Sequence, residues 1–369
     1  MQDATDIFVI GGGPAGLAAA IAARQQGFRV MVADGAKPPI DKPCGEGLLP
    51  DAVEAVERLG VRIPPAEAFA FRGVRFLSAG TSAETFFPAG SSGIAVRRTA
   101  LHRVMMERAA EVGVDLLWHT AVKGISGNEV RLADRTIRAR WIVGADGANS
   151  RVRRWSGLEA HSRTGFRYAF RRHYHVAPWT DHMEVYWGEH SQGYVTGVGN
   201  DQVCVAFASA DSRRRIDEAL SAFPELNARL CGAEFASTER GALTTSRKLR
   251  QVCRGNVALI GDASGTVDAI AGEGLGLSFQ QAMILAECLR SGHLARYQIE
   301  HRRLSLRPRL MARLMLTLDG RPRLQKRTLQ VFRRQPQVFR ELLAFHIGAL
   351  SPFHLAFDGL TLGWGLLTA

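Results

Sequence analysis

The stretch "DIFVIGGGPAGLAAAIAARQQGFRVMVAD", Asp6 to Asp34, constrains the fold more than any other part of the chain. A short apolar run leads into Gly11-x-Gly13-x-x-Gly16, an alanine-rich segment of helical length follows, and a second apolar run ends on Asp34. Strand, tight turn, helix and second strand in this order make the unit that binds a dinucleotide. Gly11 permits the turn, Gly13 lets backbone N–H groups approach a pyrophosphate, and Gly16 lets helix and strand pack closely. Asp34 lies 18 residues past Gly16, where a carboxylate accepts hydrogen bonds from a ribose. A glycine triplet alone is weak evidence, but its place between strand and helix, with the terminal acid, favours dinucleotide binding over a chance turn.

Two later segments repeat the strand-then-turn pattern. "RWIVGADGANSRVRR" places an apolar strand before Asp146-Gly147, and "GNVALIGDASGTVDAIAGEGLGLSFQ" places one before Gly261-Asp262, with a helix beginning near Gly274. In this order the motifs resemble the superfamily of single-Rossmann FAD enzymes that holds the para-hydroxybenzoate hydroxylase-type monooxygenases, the flavin-dependent halogenases and the geranylgeranyl reductases. The resemblance covers roughly residues 6 to 300. It implies an α/β fold: a Rossmann-type FAD-binding domain of glutathione-reductase-like form, an inserted antiparallel β-sheet substrate domain, and C-terminal helices. The expected FAD-binding domain is discontinuous (1–65, 97–160 and 246–295), the substrate domain takes 66–96 and 161–245, and 296–369 is the helical region.

The resemblance also assigns residues. Gly11, Gly13 and Gly16, with Pro14 and Ala15 between them, hold the FAD pyrophosphate; Asp34 takes the adenosine ribose, and Gly261-Asp262 the ribityl chain. Asp146 supports the pyrophosphate region, and Arg98 matches the arginine that opens the family's Arg-x-x-Leu helix, with Arg97 as the adjacent alternative. Gly272, Gly274 and Leu275 form a turn opening a helix whose positive end would stabilise a reduced, anionic flavin. No second glycine-rich strand–turn–helix follows, so NADPH or NADH is expected to visit as reductant, not to reside.

The segments between these motifs read differently. "FRYAFRRHYHVAP", "HMEVYWGE", "QGYVTGVG" and "QVCVAFAS" are short, β-branched and aromatic, with turns between them, as in an antiparallel meander. Such a sheet roofs the flavin in this superfamily, which makes Tyr168, Phe170, Tyr186, Trp187 and Tyr194 candidates for the pocket wall, with sheet packing as the more ordinary role for each. His102, His161, His173 and His175 show no partner in the sequence, and no serine–histidine–acid set or paired carboxylate stands out. The chemistry is expected to be the flavin's own, with the protein supplying position and electrostatics.

Composition bounds the partners. The net charge is +12, and residues 290–340 hold 14 Arg or Lys against two acids, Glu300 and Asp319. There arginines alternate with leucine and methionine, as in "RLSLRPRLMARLMLTL", the pattern of an amphipathic helix with a cationic face. A solvated helix face or peripheral contact with an anionic membrane accounts for this charge better than nucleic acid does. The five cysteines are scattered, without a Cys-x-x-Cys pair or a histidine-rich neighbour, which indicates a reducing compartment and neither a disulfide framework nor a metal site. The first strand starts at Asp6 and no run has the roughly 18 apolar residues of a spanning helix, so a cytoplasmic protein is expected. The apolar tail from Phe345 to Ala369, broken by His346, Pro352, His354 and Asp358, could lie against a membrane but not cross it.

"KPCGEGLLP", Lys42 to Pro50, falls just beyond Asp34, in the segment that returns toward the flavin ring in this superfamily. It resembles the geranylgeranyl reductase branch, as does the Gly-Glu-Gly at 272–274. Cys44 is a candidate proton donor or a small buried filler, and Glu46 a second acid/base candidate. "GYVTGVG" departs from that branch's pocket motif, retaining only Tyr194, while Ser264-Gly265 and Asp268 depart from the hydroxylases; no lysine occurs between Lys42 and Lys123, against a halogenase. Three readings follow. An NAD(P)H-fed monooxygenase would hydroxylate a hydrophobic aromatic or polyketide-like substrate through a flavin C4a-hydroperoxide; a reductase would deliver hydride to an isoprenoid C=C bond; an electron-carrying flavoprotein would need no enclosed pocket. The superfamily's commonest chemistry places the monooxygenase first, and the Cys44 segment points to the reductase.

Overall fold

The computed structural model describes residues 4–189, 191–211 and 213–351. The first strand, Ala4–Ile10, is central to an eight-stranded sheet, where it pairs in parallel with Val30–Ala33 on one side and Thr136–Gly144 on the other. Asp115–Leu117 and Val257–Leu259 extend the parallel part outward. All five strands are apolar at their cores, as expected for a sheet covered on both faces. Ile10, Ala33, Gly144 and Leu259 end neighbouring strands at the same level, so the turns that follow gather along one edge. That carboxyl edge is where open α/β sheets bind ligands. The helices Pro14–Gln25, Arg98–Glu111 and Gly274–Arg290 complete the layer around a core of Ile7, Phe8, Leu17, Ile21, Ile142 and Phe279.

A second eight-stranded sheet, mostly antiparallel, runs from Gly73–Ser78 and Thr81–Phe86 through the meander His161–Tyr174, His182–Trp187, Ser191–Gly197 and Val203–Ser209 to Arg240–Leu249. Its far edge is the two-residue strand Gly265–Thr266, contributed by the loop after Gly261-Asp262. Alternation gives the sheet two unlike faces. The outer face packs Tyr174, Tyr186, Phe207 and Phe223 into a satellite core. Val185, Trp187 and Val198 belong instead to an apolar layer shared with Met315, Leu329, Phe332 and Phe339 of the C-terminal helices.

Those helices, Leu294–Leu304, Leu306–Leu318, Pro322–Arg334 and Pro336–His346, lie over the sheet. Leu306–Leu318 buries Met311, Ala312, Met315 and Leu318 and exposes Arg313, the division its sequence pattern requires. The apolar tail from residue 352 lies outside the described residues. No helix among the described residues is long and apolar enough to cross a membrane.

Candidate active site

The glycine turn has the geometry its spacing predicts. Gly11 adopts φ +113°, and a Cβ there would stand 2.4 Å from the carbonyl oxygen of Ala145; at Gly16 it would stand 1.8 Å from that of Gly11. Neither position tolerates a side chain. Gly13 caps the helix Pro14–Gln25 with ordinary dihedral angles, and a Cβ there would meet nothing within 4 Å. Its glycine therefore reflects no need of the protein's own packing; it leaves room for a group lying against the helix N-terminus. Asp34 uses both oxygens to brace the turn, Oδ2 accepting from the Gly12 N–H at 2.7 Å and Oδ1 from the Ala36 N–H at 2.8 Å. Each oxygen keeps a lone pair for a hydroxyl.

Other motifs converge on this turn. A Cβ on Gly261 would lie 2.8 Å from that of Ala15, so the Gly261-Asp262 turn abuts the first helical turn; Gly261 donates to Gln281 Oε1 at 2.8 Å, and the Asp262 side chain is exposed. Asp146 Oδ2 accepts from the N–H groups of Arg151 and Val152 at 2.7 and 3.1 Å, while its Oδ1 is buried without a partner. Arg98 opens the helix Arg98–Glu111, and its buried Nε is likewise without a partner. Gly272, at φ +68°, and Gly274, first residue of Gly274–Arg290, leave open space where a Cβ would be, with Leu275 half-buried behind them. Open glycines and two orphaned polar groups along one edge fit a long, anionic, hydrogen-bonding cofactor such as FAD.

Two residues supporting the turn escape a reading of the sequence. His102 is buried, its Nε2 2.8 Å from the Gly12 carbonyl, and burial lowers its pKa, so the neutral ring donates to that oxygen. The indole of Trp118 covers Gly12, where a Cβ would come within 2.4 Å of it. His102 lies one helical turn beyond Arg98, the only hint of its position.

The Cys44 loop spans the two layers. The Cys44 thiol is half-buried, and its Sγ accepts from the Glu46 N–H at 3.3 Å. Glu46, the second acid/base candidate, is 3% exposed. Its Oε1 accepts from the Arg98 N–H at 2.9 Å and its Oε2 lies 2.6 Å from His173 Nε2, so the carboxylate bridges the two layers from a buried position. His173 thus has a partner that the sequence did not reveal. Its Nδ1 faces the donors Arg171 Nη1 at 3.1 Å and Arg97 Nη2 at 3.4 Å. A guanidinium cannot accept, so Nδ1 carries the lone pair and Nε2–H donates to Glu46. Arg97 is thereby committed to the second sheet. Glu46, His173 and Cys204 offer ligand atoms within 4.8 Å of one another, but the Nε2 proton takes the lone pair a cation would need, and two guanidinium groups stand beside it.

The five aromatic candidates divide between the two faces of the sheet. Tyr194 donates to the Ile270 carbonyl at 2.9 Å, beside the Gly272 turn, and Trp187 packs on Phe76 in the inner layer. Tyr186 packs on Phe223, and Phe170 lies under Arg215, both in the outer core; Tyr168 shares Phe170's side of its strand. Those three face away from the cofactor edge.

This assembly of a parallel cofactor layer, a sheet roof and a covering set of helices defines a flavin-dependent oxidoreductase. Residues 4–294 match the family described as "FAD binding domain", and the chain belongs to it. FAD is its cofactor. The chain is 32% identical over 322 residues to a menaquinone reductase of Mycobacterium tuberculosis, covering 80% of this chain and 79% of that one. It is 26% identical over 313 residues to digeranylgeranylglycerophospholipid reductase 1 of Methanococcoides burtonii, covering 78% and 74%. A solved flavoprotein/dehydrogenase of Cytophaga hutchinsonii shares the fold with a TM-score of 0.80 at 20% identity, over 94% of this chain and 93% of that one.

Proposed function

We propose that this FAD-dependent oxidoreductase reduces a C=C bond in a hydrophobic, isoprenoid-bearing substrate, with NAD(P)H as electron source. The observation that carries the reading is the Cys44 thiol, half-buried in a loop between the cofactor edge and the substrate sheet. The reductase names of two relatives that cover most of the chain support it. Gly11, Gly13, Pro14, Ala15 and Gly16 would hold the pyrophosphate, Asp34 the ribose, Gly261 and Asp262 the ribityl chain, and Gly272, Gly274 and Leu275 the ring. Asp146 Oδ1 and the Arg98 guanidinium, each with a buried unpartnered atom, would close on the cofactor's polar middle.

When bound and reduced, FAD supplies the hydride. Cys44 gives its proton to the adjacent carbon: the π bond breaks, two C–H bonds form, and the thiolate recovers a proton from water. The apolar layer of Trp187, Phe76, Met315, Phe332 and Phe339 suits a hydrocarbon substrate. We also propose that the protein contacts anionic membranes through residues 296–340, a reading supported by the exposed charges there, all Arg or Lys, and by Ile299, Leu306 and Leu310 exposed beside them.

A second reading, hydroxylation, is favoured by the same buried apolar layer, since oxygen chemistry on a flavin needs water kept out. Turnover of a menaquinone or a geranylgeranyl lipid under argon, and then under labelled oxygen, separates the two. Gain of two hydrogens without oxygen supports reduction. Incorporation of one labelled oxygen atom, with no turnover under argon, would replace it by hydroxylation. In the reductase, Cys44→Ala should lower kcat about a hundredfold, a magnitude usual for losing a general acid, and leave KM little changed.

A further inference from the structure

We propose that Arg171 and His173 form a clamp, reaching from the substrate sheet to the cofactor layer, that positions the Cys44 thiol, with Glu46 as the residue it grips. The inference rests on the reading that Cys44 serves the reduction, and it assigns no proton transfer to Glu46 or His173. Arg171 and His173 are two apart on the strand His161–Tyr174 and project from the same face. Arg171 Nη2 binds Asp41 and His173 Nε2 binds Glu46, so neighbouring side chains hold both ends of the segment that carries Cys44. Arg240 Nε, 3.5 Å from Asp41 Oδ2, reinforces the first grip. Cys204, the register partner of His173 on the next strand, donates from Sγ to the Cys44 carbonyl at 3.7 Å.

The backbone gives an independent reason to assign Glu46 this role. Glu46 has φ +63°, a conformation glycine adopts freely and other residues adopt at a cost. Both neighbours in Gly45-Glu46-Gly47 are glycines without positive φ. The strained position is thus the one with a long side chain. Backbone convenience would place glycine there, so the carboxylate must contribute something glycine cannot. Its oxygens join the Arg98 N–H, at the head of a cofactor-layer helix, to His173 of the substrate sheet, while its carbonyl accepts from the Val96 N–H at 3.0 Å. Glu46 is therefore a cross-layer pin, and its own N–H is donated to the Cys44 sulfur.

The clamp is tested by the reactivity of Cys44 in FAD-loaded protein. Iodoacetamide labelling followed by peptide mass spectrometry gives the Cys44 rate relative to exposed Cys231, an internal standard. Releasing one charge-assisted tether should raise that ratio about tenfold in Glu46→Ala and His173→Ala, equivalent to about 1.4 kcal/mol. Glu46→Gln, whose single carbonyl oxygen can accept from only one of the two donors, should fall between wild type and Glu46→Ala. Glu46→Gly separates strain from grip: it should behave like Glu46→Ala, although its backbone is relaxed. If the buried variants do not retain FAD, Asp41→Ala cuts the less buried end of the clamp and should raise the ratio on its own. An unchanged ratio in every variant that retains FAD overturns the clamp. Labelling needs no substrate, so this result stands apart from the reductase reading, which fails instead if Cys44→Ala turns over normally. If both hold, the clamp variants lower kcat at near-constant KM.

Discussion

Glu273 should make the protein less stable as pH rises from 6.5 to 8, and its replacement by glutamine should abolish that loss. The residue is 7% exposed, and neither carboxylate oxygen has a hydrogen-bond partner among the described residues. Its nearest charged neighbour is Arg307, with Nε 3.8 Å away, and Arg307 is already paired with Asp51 at 2.8 Å. His346 Nδ1 lies 3.5 Å from Oε1. Burial pushes the Glu273 carboxyl up from 4.5 to about 8, with Arg307 only partly opposing it and Asp51 adding to the rise. The folded protein thus keeps a proton that the unfolded chain releases above 4.5. This contribution is complete below 4.5 and is lost as pH climbs toward 8.

Two buried histidines act in the opposite sense. His346 and His301 are each held down from 6.5 to about 4 by burial and nearby arginines, so their contribution is complete above 6.5 and lost as pH falls toward 4. Between 4.5 and 6.5 these slopes oppose that of Glu273. Above 6.5 the Glu273 slope stands alone among these three groups, at about 1.4 kcal/mol per pH unit, or about 2 kcal/mol by pH 8. Urea unfolding of FAD-loaded protein at the two pH values measures it. Wild type should lose about 2 kcal/mol and Glu273→Gln almost nothing. An equal loss in both proteins would refute the reasoning, because the proton would then lie elsewhere.

Other outcomes follow from the same geometry. Gly13→Ala should fold with a wild-type Tm yet bind FAD at least about tenfold more weakly, since its methyl group meets only the cofactor's space; equilibrium titration with FAD checks this. Gly16→Ala should also lose FAD but unfold at lower temperature, because its Cβ would stand 1.8 Å from the Gly11 oxygen. His102→Ala should weaken FAD binding without altering any cofactor contact, by freeing the Gly12 carbonyl; a similar Kd in wild type and variant would show that the turn holds itself. The basic helices should sediment the protein with phosphatidylglycerol vesicles and release it in high salt, whereas neutral phosphatidylcholine vesicles should not retain it.

The cofactor layer was legible because its information is local. Gly11, Gly13, Gly16 and Asp34 are related by short spacings, and the close approaches they permit are made within one strand–turn–helix unit. The amphipathic pattern of Leu306–Leu318 was legible for the same reason. Glu46 and His173 were not, since they are 127 residues apart and meet only when the two layers pack. Tyr168, Phe170 and Tyr186 show the limit in another form. Alternation places Phe170 and Tyr168 together and Tyr186 opposite Trp187, but which side faces the cofactor depends on what covers each face.

The short strand Gly265–Thr266 pairs with Lys248 and Arg247, so the chain leaving Gly261-Asp262 becomes an edge strand of the substrate sheet before it returns to Gly272 and Gly274. Two ladder pairs thus tie this loop to the second sheet at the seam. A substrate that displaces the sheet must displace the loop beside the cofactor, and a cofactor that draws the loop inward must draw the sheet with it. Reciprocity then requires that each tighten or loosen the other by the same factor. Were a substrate to bind against this sheet, the affinity for FAD would report it through the seam.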